Sequence, residues 1–314
     1  MTFLYSDPVF LKHDTGKHPE RAQRLEQVVA HLARVGLDRQ CRQPHWEPAS
    51  RERLVRLHDA DYIDQVREFA GRGGGRIEAD TVVSRDSYDV ALQAAGAVSD
   101  AVARVVQGED SQALCLVRPP GHHALRDDAM GFCLFNNVAV GARVATAEFQ
   151  LDHVLIVDWD VHHGNGTQNA FWEDGRVGFL SIHRWPFYPG TGRADETGSG
   201  RGLRWIANLP VEMGTSRADY LRQFTAALEQ LAQRVKPQLV IVSAGFDSHR
   251  DDPVGSLGLE TEDFEPLTNA VLDIADAYAG GKIVSVLEGG YNPGILAGCV
   301  ELHLRTLLKR QAKR

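Results

Sequence analysis

The segment Asp158-Trp159-Asp160-Val161-His162-His163-Gly164-Asn165-Gly166-Thr167 sets two carboxylates and two imidazoles within six residues. An apolar run, His153 to Val157, precedes it and reads as a buried parallel strand. Open α/β sheets bind ligands beyond the carboxyl ends of their strands, so these side chains emerge where a site belongs. In extended backbone, residues i and i+2 project to the same side. Asp158, Asp160 and His162 therefore share a face, and Asp160 and His162 can meet one cation. A third ligand must come from elsewhere. Leu239 to Asp247 (LVIVSAGFD) offers one, as another apolar strand that ends in small residues and a carboxylate. Two carboxylates and one imidazole suit zinc with a position left open for water and substrate. They suit Fe2+ or another first-row divalent ion equally.

Two anionic ligands nearly cancel the charge of a divalent ion and weaken it as a Lewis acid, so acid–base and hydrogen-bonding helpers are expected. Arg118-Pro119-Pro120-Gly121-His122-His123 follows the apolar run Ala113 to Val117. Adjacent imidazoles need separate partners, and each partner sets tautomer and basicity. Asp158 and Asn165 are available and chemically different. A carboxylate keeps one imidazole readily protonated, and an amide leaves the other more neutral. Val284 to Tyr291 (VSVLEGGY) is a further strand followed by a glycine turn, where a phenol can donate to a polarised carbonyl oxygen. Phe132, in Gly131 to Asn137 (GFCLFNN), and Tyr188, in Tyr188-Pro189-Gly190-Thr191-Gly192, suit the walls of a narrow slot.

These side chains need a scaffold that gathers strand ends. Strand-length apolar runs recur at Ala113 to Val117, Val154 to Val157, Val177 to Ile182, Leu239 to Val242 and Ile283 to Leu287. Helical spacing separates most of them, at Pro19 to Val35, Ser87 to Val106, Asn137 to Phe149, Ser216 to Val235 and Thr261 to Ala279. Alternation of this kind predicts a parallel sheet with helices on both faces. Residues 72 to 76 read as a flexible surface loop, residues 186 to 202 as a functional loop or rim, and the basic residues from Lys309 as a frayed tail. No linker divides the chain, so one domain over residues 1 to 314 is expected.

Of 314 residues, 43% are hydrophobic and 24% charged, an ordinary globular balance. The net charge of −8 argues against a protein that holds nucleic acid by its phosphates. No glycine-rich nucleotide loop is present. No apolar run is long enough to suggest a membrane span. The four cysteines form no C-x-x-C pair; Cys115 and Cys133, in or beside apolar runs, read as buried, inert thiols, and a reducing cytoplasm is expected. A homo-oligomer stays open.

HPERAQRL (18–25), RPPGHH (118–123), GFCLFNN (131–137), DWDVHHGNGT (158–167), SIHR (181–184), AGFD (244–247) and EGGY (288–291) together resemble the histone deacetylase family, class II-like and of prokaryotic type. The resemblance implies a single-domain three-layer arginase/deacetylase-like α/β fold, with a mostly parallel sheet of about eight strands flanked by helices. It implies a zinc-dependent deacetylase that hydrolyses acetyl- or acyl-lysine-type amides through metal-activated water. The alternative within the fold is an acetylpolyamine or other small-molecule amidohydrolase.

By the same resemblance Asp160, His162 and Asp247 hold one zinc ion. His123 is the general base and acid, Tyr291 stabilises the oxyanion, Asp158 orients His122, and Asn165 orients His123. One or two structural potassium ions are implied. The first lies at Asp158 and Ser181 with the backbone of Asp160 and His162, and the second near Phe171 and Val177. Phe132 and Tyr188 become tunnel walls, beside Gly131 and Gly289. Thr81 becomes a rim residue, and Arg21 lines an inner channel. Val254 falls where acetylpolyamine-selective members carry a glutamate, which disfavours a polycationic substrate. His163 is left as a structural histidine.

Overall fold

Apolar segments, β-branched in β5, β8 and β9, form the central strands of this α/β protein, whose computed structural model describes residues 2–312. The strands are β1 (Phe3–Tyr5), β2 (Gly75–Arg76), β3 (Val82–Val83), β4 (Gln112–Cys115), β5 (Val154–Asp158), β6 (Val177–Arg184), β7 (Ile206–Val211), β8 (Leu239–Ala244) and β9 (Ile283–Leu287). The helices are α1 (Gln23–Arg34), α2 (Arg51–Leu54), α3 (Ala60–Gly71), α4 (Ser87–Gln107), α5 (Asn137–Ala147), α6 (Asn165–Ala170), α7 (Arg217–Val235), α8 (Phe264–Tyr278) and α9 (Pro293–Gln311).

Seven strands pair in parallel in the order β1-β4-β9-β8-β5-β6-β7. Helices α4 and α5 pack on one face, and α7, α8 and α9 on the other. Every residue of β4, β5, β8 and β9 is buried, as two covered faces require. The sheet thus has seven strands where about eight were expected. The five apolar runs form its five interior strands, β4, β5, β6, β8 and β9. The sequence reading missed the edges β1 and β7. Strand β1 has only three residues, and β7 carries Asn208 and Pro210, which an edge tolerates.

Helix starts follow their caps. Ser216 accepts from the Asp219 N–H, and Asn136 from the Ala139 N–H. Two loop expectations change. Residues 72 to 76 are not wholly loop, because Gly75 and Arg76 pair with Val83 and Val82. The tail from Lys309 is not frayed over its first residues. Helix α9 continues to Gln311, with Lys309 paired to Glu265, and Arg310 to Asp273 and Asp276. Residues 313 and 314 lie outside the described residues. Helix α1 begins at Gln23 rather than Pro19, because Glu20 turns inward to the buried Arg118. All four cysteines are free, and Cys115, Cys133 and Cys299 are buried. No helix among the described residues is long and apolar enough to cross a membrane.

Candidate active site

Strand order gathers the polar groups. Strands β4, β9, β8 and β5 are consecutive neighbours, and each ends in a segment that carries one part of the site. Asp158 ends β5 and pairs in register with Ser243 of β8 and Ser181 of β6. Beyond the strand ends, Asp160, His162 and Asp247 come together with ligand atoms within 4.8 Å of one another, all buried.

Backbone donors fix each carboxylate. Asp158 Oδ1 accepts from Asp160 N, Asp160 Oδ1 from His162 N, Asp160 Oδ2 from Gly289 N, and Asp247 Oδ1 from Val161 N. Asp247 Oδ2 is buried and accepts no well-formed hydrogen bond, with only the His162 ring nitrogen close by. His162 Nδ1 lies 3.0 Å from Asp160 Oδ1 and 3.1 Å from Asp247 Oδ2. A buried carboxylate oxygen left unpartnered is costly unless a cation neutralises it. Gly289 makes this approach possible, because a Cβ there would sit 2.1 Å from Asp247 Oδ2 and 2.5 Å from Asp160 Oδ2.

The tandem histidines have the separate partners their chemistry needs. His122 Nδ1 lies 2.9 Å from Asp158 Oδ2, and His123 Nδ1 lies 2.7 Å from Asn165 Oδ1. The Asn165 amide nitrogen faces the sulfur of Met130, which turns its oxygen toward His123. That orientation assigns the proton to His123 Nδ1 and leaves the Nε2 lone pair free. Burial opposes charge on His122, but Asp158 and Asp160 outweigh it and hold the imidazole up at about 10. Burial and the charges of His122 and His162 push His123 well below its ordinary value. One imidazole is therefore cationic and its neighbour neutral.

A pocket of about 230 Å³ opens above this cluster, lined by Asp80, His123, Gly131, Phe132, His162, Phe187, Tyr188, Val254 and Tyr291. Phe132 meets Tyr291 edge-on with centroids 5.6 Å apart, and Tyr188 meets His123 edge-on at 5.2 Å. Burial raises the Tyr291 phenol well above its ordinary value, so it keeps its proton. Gly131 has φ +57 and stands so close to His123 that a Cβ would approach its ring Cδ2 to 2.2 Å.

The sequence-predicted residues divide into three groups. His123, Gly131, Phe132, His162, Tyr188, Val254 and Tyr291 line the pocket, with Asp158, Asp160, His122, Asn165, Asp247 and Gly289 around or beneath its floor. Thr81 is a correction. It is fully buried, donates to Asp80 Oδ1 and accepts from Phe132 N, so it holds the left-handed Phe132 (φ 70) and does not reach the rim. The neighbouring Asp80 lines the pocket instead. Arg21 is part-exposed and does not line the pocket. Ser181 gives its hydroxyl to His183 Nδ1. His163 is satisfied by Thr191 and Gln168, and burial lowers it to about 4.

The structure adds residues that sequence reasoning missed. Arg24 donates to the carbonyls of Gly290 and Glu288, each at 2.5 Å, and covers the Tyr291 ring at 4.8 Å. Glu288 accepts from Gly121 N at 2.7 Å and from Ser243 Oγ at 3.2 Å, which braces the turn before the tandem histidines. Glu288 ends an apolar strand, the same signal that marks Asp247. Arg24 gives no comparable local signal.

The family model for the histone deacetylase domain matches residues 18–307. The chain belongs to the histone deacetylase family. Members of this family similar to it include a histone deacetylase-like amidohydrolase of Pseudomonas aeruginosa, 36% identical over 90% of this chain and 73% of that protein. A probable deacetylase of Archaeoglobus fulgidus is also 36% identical, over 90% of this chain and 79% of its own length. The human polyamine deacetylase HDAC10 is 40% identical over 92% of this chain, which spans 44% of that longer protein. The crystal structure of the HDA15 HD domain superposes with a TM-score of 0.92 and 35% identity, covering 98% of this chain and 90% of that one. This establishes the deacetylase fold, and the family supports a hydrolase.

Proposed function

We propose that the protein is a zinc-dependent deacetylase that hydrolyses the amide of acetyl- or acyl-lysine-type substrates. The observation that carries this reading is the convergence of the Asp160–His162–Asp247 cluster, neutral His123 and protonated Tyr291 on one narrow pocket. The orphaned Asp247 Oδ2 fits a divalent cation, which when bound supplies Lewis-acid polarisation of the acyl oxygen and of water. The names of the Pseudomonas and Archaeoglobus relatives support amide hydrolysis.

The chain's own groups then divide the work. Phe132 and Tyr188 flank a slim aliphatic arm and limit water around it. The Tyr291 hydroxyl donates to the carbonyl oxygen, and this bond strengthens as negative charge develops there. His123 Nε2 takes the proton of the attacking water. As the C–N bond breaks, the same proton goes to the leaving amine. His122, cationic against Asp158, keeps positive charge beside the reacting centre. We also propose a potassium ion by the Asp158 and Ser181 register pair. Both side chains are already engaged, so backbone carbonyls would supply much of its ligation.

Asn165→Asp tests the division between the histidines. A carboxylate at this position favours the imidazolium form of His123 and raises its pKa. The neutral base is then lost at higher pH, and the acid limb of kcat/KM should move up by ~1 unit or more. An acid limb that stays in place removes His123 from the role of base.

Substrate class is tested by kcat/KM on an acetyl-lysine peptide and on acetylspermidine, side by side on zinc-loaded protein. Val254 offers no anion at the pocket wall, Asp251 is exposed, both Asp252 oxygens are bound to backbone, and the pocket-lining carboxylate, Asp80, already accepts from Gly131 N and Thr81 Oγ1. The peptide should lead by ~10-fold or more. The reverse order would assign the protein to acylated polyamines, the substrate class in the name of the human relative.

A further inference from the structure

One carboxylate beneath the pocket ties two of its walls together. Asp252 is 7% exposed. Its Oδ1 accepts from Val254 N and Gly255 N at 2.9 Å each, and its Oδ2 accepts from Tyr291 N at 2.6 Å. Val254 and Tyr291 both face the pocket. No ion pair to Asp252 is present among the described residues, so three backbone N–H groups hold this buried carboxylate.

The contact with Tyr291 falls on a peptide group that is held from its other side as well. Arg24 Nε donates to the Gly290 carbonyl at 2.5 Å, and the N–H of that same peptide unit is the one bound by Asp252. The peptide plane between Gly290 and Tyr291 is thus clamped between a guanidinium and a carboxylate. The clamp has a physical reason. Tyr291 follows two glycines, and Gly290 sits at φ +123, so the local backbone has little stiffness of its own. The phenol needs an external tie to be held in one place. Just beyond it, Asn292 Nδ2 donates to the Asp251 carbonyl at 3.0 Å and draws the same two loops together.

We propose that Asp252 is a positioning residue that fixes the Tyr291 phenol against the acyl carbonyl and couples it to the Val254 wall. The proposal rests on the reading of Tyr291 as the group that donates to that oxygen. It also explains why position 252 carries a carboxylate. Donors approach from two sides, and an amide has only one accepting oxygen. In Asp252→Asn the Val254 and Gly255 donors hold that oxygen, and the NH2 group is left facing the Tyr291 N–H.

A four-protein cycle tests it: wild type, D252N, Y291F and the double variant, each assayed for kcat, KM, metal content and thermal midpoint. D252N should lower kcat by ~10-fold or more, with KM changed by less than ~3-fold and metal content unchanged. In the Y291F background the same substitution should change kcat by less than ~2-fold, because the group it positions is gone. An equal loss in both backgrounds overturns the proposal, as does a rise in KM with kcat intact. A kcat loss that only tracks the fraction of unfolded D252N overturns it too. The two readings fail differently. Y291F turning over like the wild type removes the role of Tyr291 itself, whereas an impaired Y291F beside an unaltered D252N removes only the clamp.

Discussion

Tyr291→Phe is expected to cut kcat by ~10²-fold or more, and His123→Ala by at least as much, with the metal content of both proteins unchanged. The tyrosine change deletes one hydroxyl. Phenylalanine keeps the edge-on contact with Phe132 and the place beneath Arg24, so pocket shape survives. The loss then reports a hydrogen bond that matters most when the carbonyl oxygen gains charge, and it should fall on kcat more than on KM. His123→Ala removes the one imidazole that burial and its cationic neighbours keep neutral. His122 cannot substitute, because its carboxylate partner holds it protonated and no lone pair remains to accept a proton. Neither residue belongs to the Asp160–His162–Asp247 cluster, so metal analysis separates lost chemistry from a lost site. Steady-state turnover on an acetyl-lysine peptide checks both variants, and unchanged kcat in the two would end this assignment of roles.

The parts of the site readable from sequence are those governed by local spacing. Asp160 and His162 are two apart after an apolar strand, and Asp247 ends another. Strands β5 and β8 are neighbours, so spacing and strand ends together located the cluster. Asp158 and Asn165, chosen as chemically unlike partners for the tandem histidines, meet His122 and His123. What escaped is set by long-range packing. Arg24 reaches the Gly290 carbonyl from 266 positions away, and Asp252 holds the peptide N–H beside it. Nothing local distinguishes either from a surface charge. Thr81 fails for a different reason. The resemblance put Thr81 at the rim, but Asp80 faces the pocket and Thr81 is buried against Phe132. The edge strands β1 and β7 were missed because short or proline-bearing strands carry little apolar signal.

Zinc is expected to raise the thermal midpoint, and more at pH 8 than at pH 5.5. Burial and the facing Asp160 carboxylate raise Asp247 to about 7 in the cation-free protein. Burial raises Glu288 to about 7 as well. Burial disfavours the charge on His162, but Asp160 and Asp247 outweigh it and hold the imidazole up at about 9. Each of these groups binds its proton more tightly folded than unfolded. Their contribution to stability is therefore complete below the unfolded values and is lost as pH rises through the folded ones. From about pH 6.5 to 9, above the range in which buried neutral histidines such as His163 add stability with rising pH, these groups should cost the metal-free protein stability, because unpaired charge accumulates in a buried cluster. A divalent cation replaces those protons, so its stabilisation grows with pH. At a hundredfold excess of free zinc over its dissociation constant the gain is ~2.7 kcal/mol, or a shift of roughly 5 °C. Asp247→Ala should abolish the zinc increment. It should also flatten the pH dependence of the metal-free midpoint, since one of the two facing carboxylates is gone. Scanning fluorimetry of both proteins at the two pH values, with zinc and with chelator, reads the effect without any substrate. An equal zinc shift in Asp247→Ala would place the ion elsewhere. A shift that shrinks as pH rises would mean that protons, not the cation, are what the cluster was built to hold.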